Sequence, residues 1–127
     1  MKTGLSPRGG DCRFPRQERL KGRDEIREVF SRRRQVSCGG ARLLLMKNGL
    51  PHNRVAFTFS RKFGCAVKRN RARRLSREAY RHLRQEIKNG YDMVLLVYPG
   101  IDSFASRMDQ LRQLFSRAGL FYNQEQR

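Results

Sequence analysis

Apolar residues along this chain follow two periods, and each period predicts a different kind of element. Between Asp24 and about Arg33, Ile26, Val29 and Phe30 share one side at 100° per residue, which predicts a helix. Asp24, Glu25 and Glu28 near its start and Arg32, Arg33 and Arg34 at its end suit the two poles of a helix dipole. Gly39 and Gly40 then break the chain. Residues 41–47 (ARLLLMK) form a short apolar run of strand length, with 36–38 as a weaker strand ahead of it. The cluster Asn48, Gly49, Pro51 and Asn53 predicts a hairpin into residues 54–60. There Val55, Phe57 and Phe59 alternate with Ala56, Thr58 and Ser60, the period of a strand. Ala72, Leu75, Ala79 and Leu83, continuing to Glu86 and Ile87, mark one face of a long helix that reaches about Lys88, where Asn89-Gly90 stops it. Residues 91–98 (YDMVLLVY) read as a central strand. A last helix over 103–118 puts Phe104, Met108, Leu111, Leu114, Phe115 and Ala118 on one side, and Gly119 caps it. Helix, two or three strands, helix, strand, helix is the order of a layered α+β domain, one sheet with helices packed on it. Residues 1–18, rich in Gly, Pro and Arg, read as a flexible basic arm. The single domain spans 19–120, and 121–127 is a polar tail.

Charge sharpens this picture. The formal net charge is +18, which points to a polyanionic partner. The excess concentrates between Arg61 and Arg81, where nine Lys or Arg face one acid, Glu78. On a helical wheel Arg69, Asn70, Arg73, Arg74, Arg77, Arg81 and Arg84 sweep round the side opposite the apolar face, while Arg71 points away from them. Acids that would balance such a face at i,i+4 are nearly absent, so the stripe reads as a nucleic-acid contact. Gly64 is the turn residue ahead of it. No apolar run approaches the roughly 20 residues of a membrane span, and the N-terminus has no apolar core of a signal peptide, so a cytoplasmic protein is expected. Cys12, Cys38 and Cys65 are odd in number and widely spaced, which suits free thiols, with Cys65 expected as a small buried side chain.

The segment FGCAVKRNRARRLSREAYR, residues 63–81, closely resembles the signature of the bacterial ribonuclease P protein subunit. The Arg69-Asn70-Arg71 triplet and the ending Arg77 to Arg81 match it. So do Arg19-Leu20-Lys21 before the first helix, the strand before the motif and the strand after it. The resemblance implies a two-layer α+β sandwich of order αβββαβα, with a four-stranded mixed sheet, three helices and a left-handed βαβ crossover through the basic helix. It implies a protein that assists a catalytic RNA in removing the 5′ leader of precursor tRNA, so that the endonuclease is the ribonucleoprotein. Catalytic residues and a metal site on the protein are not expected, and magnesium acts through the RNA subunit. The implied partners are that RNA and precursor tRNA, with no membrane and no further protein required. Carried over, Lys68, Arg69, Asn70, Arg71, Arg73, Arg74, Arg77 and Arg81 become the RNA-binding set. Ile26, where the family more often has an aromatic, and Phe30 form the helix side of a leader cleft. Its sheet side falls within residues 42–46, with Leu44 the candidate, and Phe57 and Lys62 complete the set.

Other chemistries find little support in the residues. The eleven acids are scattered rather than paired for metal-dependent hydrolysis. His52 in a turn and His82 beside the apolar face of the long helix read as structural. A DNA-reading helix would expose Asn, Gln, Ser and Thr, whereas this face is almost all Arg, as phosphate contact demands. A general RNA-binding protein is the remaining rival.

Overall fold

A computed structural model describes residues 16–31, 34–100 and 102–122. Its elements run α1 (Arg23–Ser31), β1 (Gln35–Cys38), β2 (Ala41–Lys47), β3 (Arg54–Phe59), α2 (Ala66–Leu83), β4 (Tyr91–Val97) and α3 (Phe104–Arg117). The four strands form one mixed sheet in the order β1-β2-β4-β3. β2 is antiparallel to β1 and β4, with Leu43 opposite both Val36 and Leu95, and β3 is parallel to β4 with Phe57 opposite Leu95. Helix α2 is therefore the crossover between two parallel neighbours.

The hairpin expected between β2 and β3 does not form, because β4 enters between them. Met93, Val94 and Leu95 of β4 are buried on both faces, and a strand apolar on both faces gains most from a central position. The hairpin is made instead by β1 and β2. Its turn is Gly39-Gly40, and Gly40 takes φ 85°, a conformation in which a side chain would be strained.

Alternation along the strands divides the interior in two. Leu43, Leu45, Val55, Met93, Leu95 and Val97 face α2 and α3, and meet Ala72, Ala79, Leu83, Leu111, Leu114 and Phe115. Leu44, Ala56 and Val94 face the other way and meet Leu20 and Val29, so the short α1 lies over the opposite face of the sheet. Of the three apolar residues of α1, only Val29 is fully buried; Ile26 is half-buried and Phe30 is 45% exposed.

Several boundaries differ from the pattern-based expectation. The expected end of α1 at residue 33 lies outside the described residues. Helix α2 stops at Leu83 and tightens into a 3-10 turn, Arg84–Glu86, because Ile87 leaves in extended conformation to bridge Phe121. That bridge attaches the start of the expected tail to the domain. At the other end Arg16–Glu18 form a 3-10 turn and Arg19 pairs in parallel with Val55, so the last residues of the expected arm are also part of the fold. The remainder of the arm and tail, residues 1–15 and 123–127, lies outside the described residues. In α3 the inward position expected for Phe104 is taken by an arginine: Phe104 is 38% exposed, against the His82 ring, whereas Arg107 is 1% exposed. The Arg107 guanidinium donates to Ala72 O at 3.1 Å, Ser76 Oγ at 2.5 Å and Gln110 Oε1 at 3.0 Å, and pairs with Asp102. A buried cation with every side satisfied locks α3 to α2 where an apolar contact was expected. Among the described residues, no helix is long and apolar enough to cross a membrane.

Candidate nucleic-acid interface

Packing fixes which arginines of α2 are offered outward. Ala72, Ser76, Ala79, Tyr80 and Leu83 are buried against the sheet and α3, so the helix cannot rotate, and its basic residues divide among three directions. Arg73 and Arg77 turn toward the edge strand β3. Asn70 and Arg74 stand outward in solvent, with Arg81 beside them paired to Glu78 at 2.7 Å. Arg71 lies on the α3 side and donates to Asp102 O, apart from the rest, as the helical wheel indicates. Lys68 is exposed in the first turn, next to Gly64, and Lys62 is exposed on the 3-10 turn Arg61–Phe63 ahead of the helix.

Further members of the motif are engaged within the protein. Arg69 donates to Gly64 O and Ser60 O, both at 3.1 Å, and so staples the strand-to-helix turn. Gly64 there takes φ 124°, a backbone that favours glycine. Asn70 accepts from Arg73 at 3.1 Å, and the Arg73 guanidinium sits 5.5 Å from the centre of the Phe59 ring. A hydrogen bond on one side and an aromatic ring on the other hold Arg73 extended along β3.

Beside that edge lies a groove of about 260 Å³. Its floor is Val55, Ala56, Phe57 and Thr58 of β3; α2 supplies Arg73 and Arg77, and the segment leading to α1 supplies Arg19, Leu20 and Lys21, with Ile26 completing the wall. Among the described residues, four cations line it and no carboxylate does. Burial, and then the neighbouring charges of Arg19 and Arg73, hold the Arg77 guanidinium below its ordinary pKa. Like charges gathered in one groove are stabilised by an anion entering it.

The groove brings Ile26 and Phe57 together with Arg73 and Arg77, joining two sets that the sequence presented separately. Phe57 also meets the Tyr80 ring edge-on at 6.2 Å. Phe30 stands exposed on α1, while Leu44 is only 5% exposed beneath that helix and offers no open surface. The accessible part of that sheet face is the next row along, where Ser37, Arg42, Leu96 and Thr58 lie side by side. The Arg42 guanidinium there stands 6.0 Å from the Tyr98 ring. Arg42 falls at the edge of the range 42–46 expected for the sheet side, whereas Thr58 and Tyr98 come beside it only through strand pairings that local patterns do not encode.

Cys65 is exposed rather than buried. It is the N-cap residue of α2, outside the packed face, and the N–H groups of Lys68 and Val67 hold its thiol below the ordinary range. Among the described residues, no three His, Cys, Asp or Glu side chains are grouped so as to hold a metal ion.

A sheet flanked by an arginine-striped helix, with a cationic groove along its edge, defines an α+β protein built to bind nucleic acid. Residues 14–119 match the Ribonuclease P family. The ribonuclease P protein component of Gluconacetobacter diazotrophicus is 40% identical over 109 residues, covering 83% of this chain and 94% of that protein. The component from Thermoanaerobacter sp. strain X514 is 32% identical, covering 84% and 94%. Among solved structures, the ribonuclease P protein of Thermotoga maritima has a TM-score of 0.71 at 27% identity, over 79% of this chain and 96% of its own. That of Staphylococcus aureus shares the fold, with a TM-score of 0.74 at 19% identity over 83% and 98%. The chain belongs to the ribonuclease P protein family, the protein components of an endoribonuclease of tRNA processing.

Proposed function

We propose that this protein binds the RNA subunit of ribonuclease P through the outward stripe of α2 and receives the single-stranded 5′ leader of precursor tRNA in the groove beside β3. Arg74, Asn70 and Lys68 face the RNA subunit. Arg73 and Arg77, on the flank of the stripe, meet leader phosphates, and Ile26, Phe57 and the exposed ring of Phe30 meet its bases. The phosphodiester is hydrolysed by the RNA subunit and its magnesium ions. The protein's residues bind, orient and neutralise, and no further protein is required. Two polyanions must approach each other during the reaction, and cations shared between stripe and groove lower their repulsion. The cell compartment follows as the cytoplasm.

The observation that carries this reading is that Arg73 and Arg77 line the same groove as Ile26 and Phe57, with no carboxylate among the lining residues. The test is cleavage of precursor tRNA by the partner RNA at low magnesium, with and without one equivalent of protein. Acceleration is expected. A rate that the protein leaves unaltered would make it a general RNA-binding protein instead.

A further inference from the structure

We propose that Arg54, Glu25 and Asp92 are positioning residues for the leader groove, an inference that rests on the leader reading above. A single guanidinium ties three elements together. Arg54, the first residue of β3, donates from Nε to Asp92 Oδ1 at 2.8 Å and from one terminal nitrogen to Asp92 Oδ2 at 2.7 Å, a two-point fork onto β4. Its other terminal nitrogen donates to Glu25 Oε2 of α1 at 2.9 Å. Glu25 divides its two oxygens, because Oε1 accepts from the N–H of Gly22 at 3.2 Å and so closes the first turn of α1. Asp92, 4% exposed, also accepts from the Asn48 side chain at 2.9 Å, which anchors it to the loop after β2.

The clamp lies at one end of α1 and the residues that matter for RNA lie further along it. Met46, Asp92 and Arg54 form one row across the sheet, Leu44, Val94 and Ala56 the next, and Arg42, Leu96 and Thr58 the third. The N-terminus of α1 is fixed over the first row by Glu25 and Val29 packs on the second, while Phe30, one residue further on, stands exposed. One fully buried side chain on a helix of nine residues is a narrow foothold. The ion-paired end therefore sets its angle. With about 1.5 Å of rise per residue, Phe30 stands roughly 7.5 Å beyond Glu25, and a tilt of about 10° displaces it by about 1.3 Å. A stacking contact or a groove wall misplaced by that distance loses its partner.

The test is binding of two RNAs by the holoenzyme, a precursor tRNA with its leader and the mature tRNA without one, using Glu25→Gln and Arg54→Lys proteins. Glutamine keeps the length of Glu25 and an acceptor for Gly22 but removes the charge. Lysine keeps the charge of Arg54, yet one ammonium cannot span both carboxylates. Both variants are expected to weaken precursor binding by between about 5- and 50-fold while mature tRNA binding changes less than about twofold. Equal losses for the two RNAs, or an unchanged preference in both variants, would overturn the positioning role. A wild-type holoenzyme with no preference for the leader-bearing RNA would overturn the leader reading itself, and this inference with it.

Discussion

Replacing Arg77 by methionine separates an RNA contact from a structural arginine. The guanidinium lies half-buried in the β3-edge groove, near Arg19 and Arg73, with no acid among the lining residues. In the free protein Arg19 and Arg73 repel it, and a methionine of similar length keeps the packing of its stem, so the fold should be retained. On RNA the expectation reverses. Six cations face the proposed surface: Arg19, Lys21, Lys68, Arg73, Arg74 and Arg77; Arg81 is set apart because it pairs with Glu78. At 0.7–0.9 per phosphate the affinity falls with log salt at a slope of roughly −4.2 to −5.4, so a fourfold rise in salt weakens binding about 300- to 2,000-fold. Arg77→Met should reduce the slope by roughly 0.7–0.9, making the variant about threefold less sensitive over the same interval. Arg71→Met is the internal control. Its side chain turns to the α3 side, and its slope should match wild type. Titrations of the RNA subunit and of precursor tRNA at four salt concentrations, with a melting curve for each protein, supply both quantities. An unchanged slope for Arg77→Met, or an equal reduction for Arg71→Met, would refute this division of the helix.

Three further outcomes concern the core and the cysteines. Arg107→Ala removes a buried cation shared by α2 and α3 and strands Asp102; it should cost about 3 kcal/mol or more and lower the melting temperature by roughly 10 °C or more, read by calorimetry. Burial, and then the charge of Glu18, raises the Tyr80 hydroxyl above its usual pKa of 10.0. The stability held in its neutral form is then complete below that pH and is lost as the pH climbs toward the raised value, because the unfolded chain ionises first. Chemical denaturation should show wild type losing roughly 2–3 kcal/mol more than Tyr80→Phe between pH 10 and 12, and parallel curves would contradict the burial argument. In a Cys12→Ser background, iodoacetamide near pH 8 should modify Cys65 before Cys38, whose thiol is raised by burial, and bound RNA should slow it; equal rates would place both thiols in similar surroundings.

Much of this arrangement was legible in the chain. Ala72, Leu75, Ala79 and Leu83 fix the rotation of α2 by their spacing, and the direction of Arg73, Arg74 and Arg77 follows directly. The apolar run 91–98 announces a central strand. What escaped reading depends on contacts between distant segments. The pairing of β3 with β4 rather than β2 arises from burial of β4 on both faces, and the turn-rich residues 48–53 look the same whether they close a hairpin or cross the end of a sheet. The inward turn of Arg107 depends on Ser76 and the Ala72 carbonyl, 31 and 35 residues earlier. Periodicity scores an arginine as exposed because it sees no such partners. Leu44 loses its expected place on the cleft surface for a related reason: Val29, on a helix distant in sequence, packs over it, while Phe30 stays exposed as expected.

Crosslinking from the leader tests the central claim most directly. A precursor tRNA with single photoreactive uridines at successive leader positions, bound in the holoenzyme, reports which protein residues lie against it. Crosslinks are predicted at Ile26, Phe30, Phe57, Thr58, Arg73 and Arg77, with none on the exposed face of α3 around Arg112. Leader crosslinks confined to α3, or to Arg71 and its neighbours on that side, would contradict a leader path along the β3 edge.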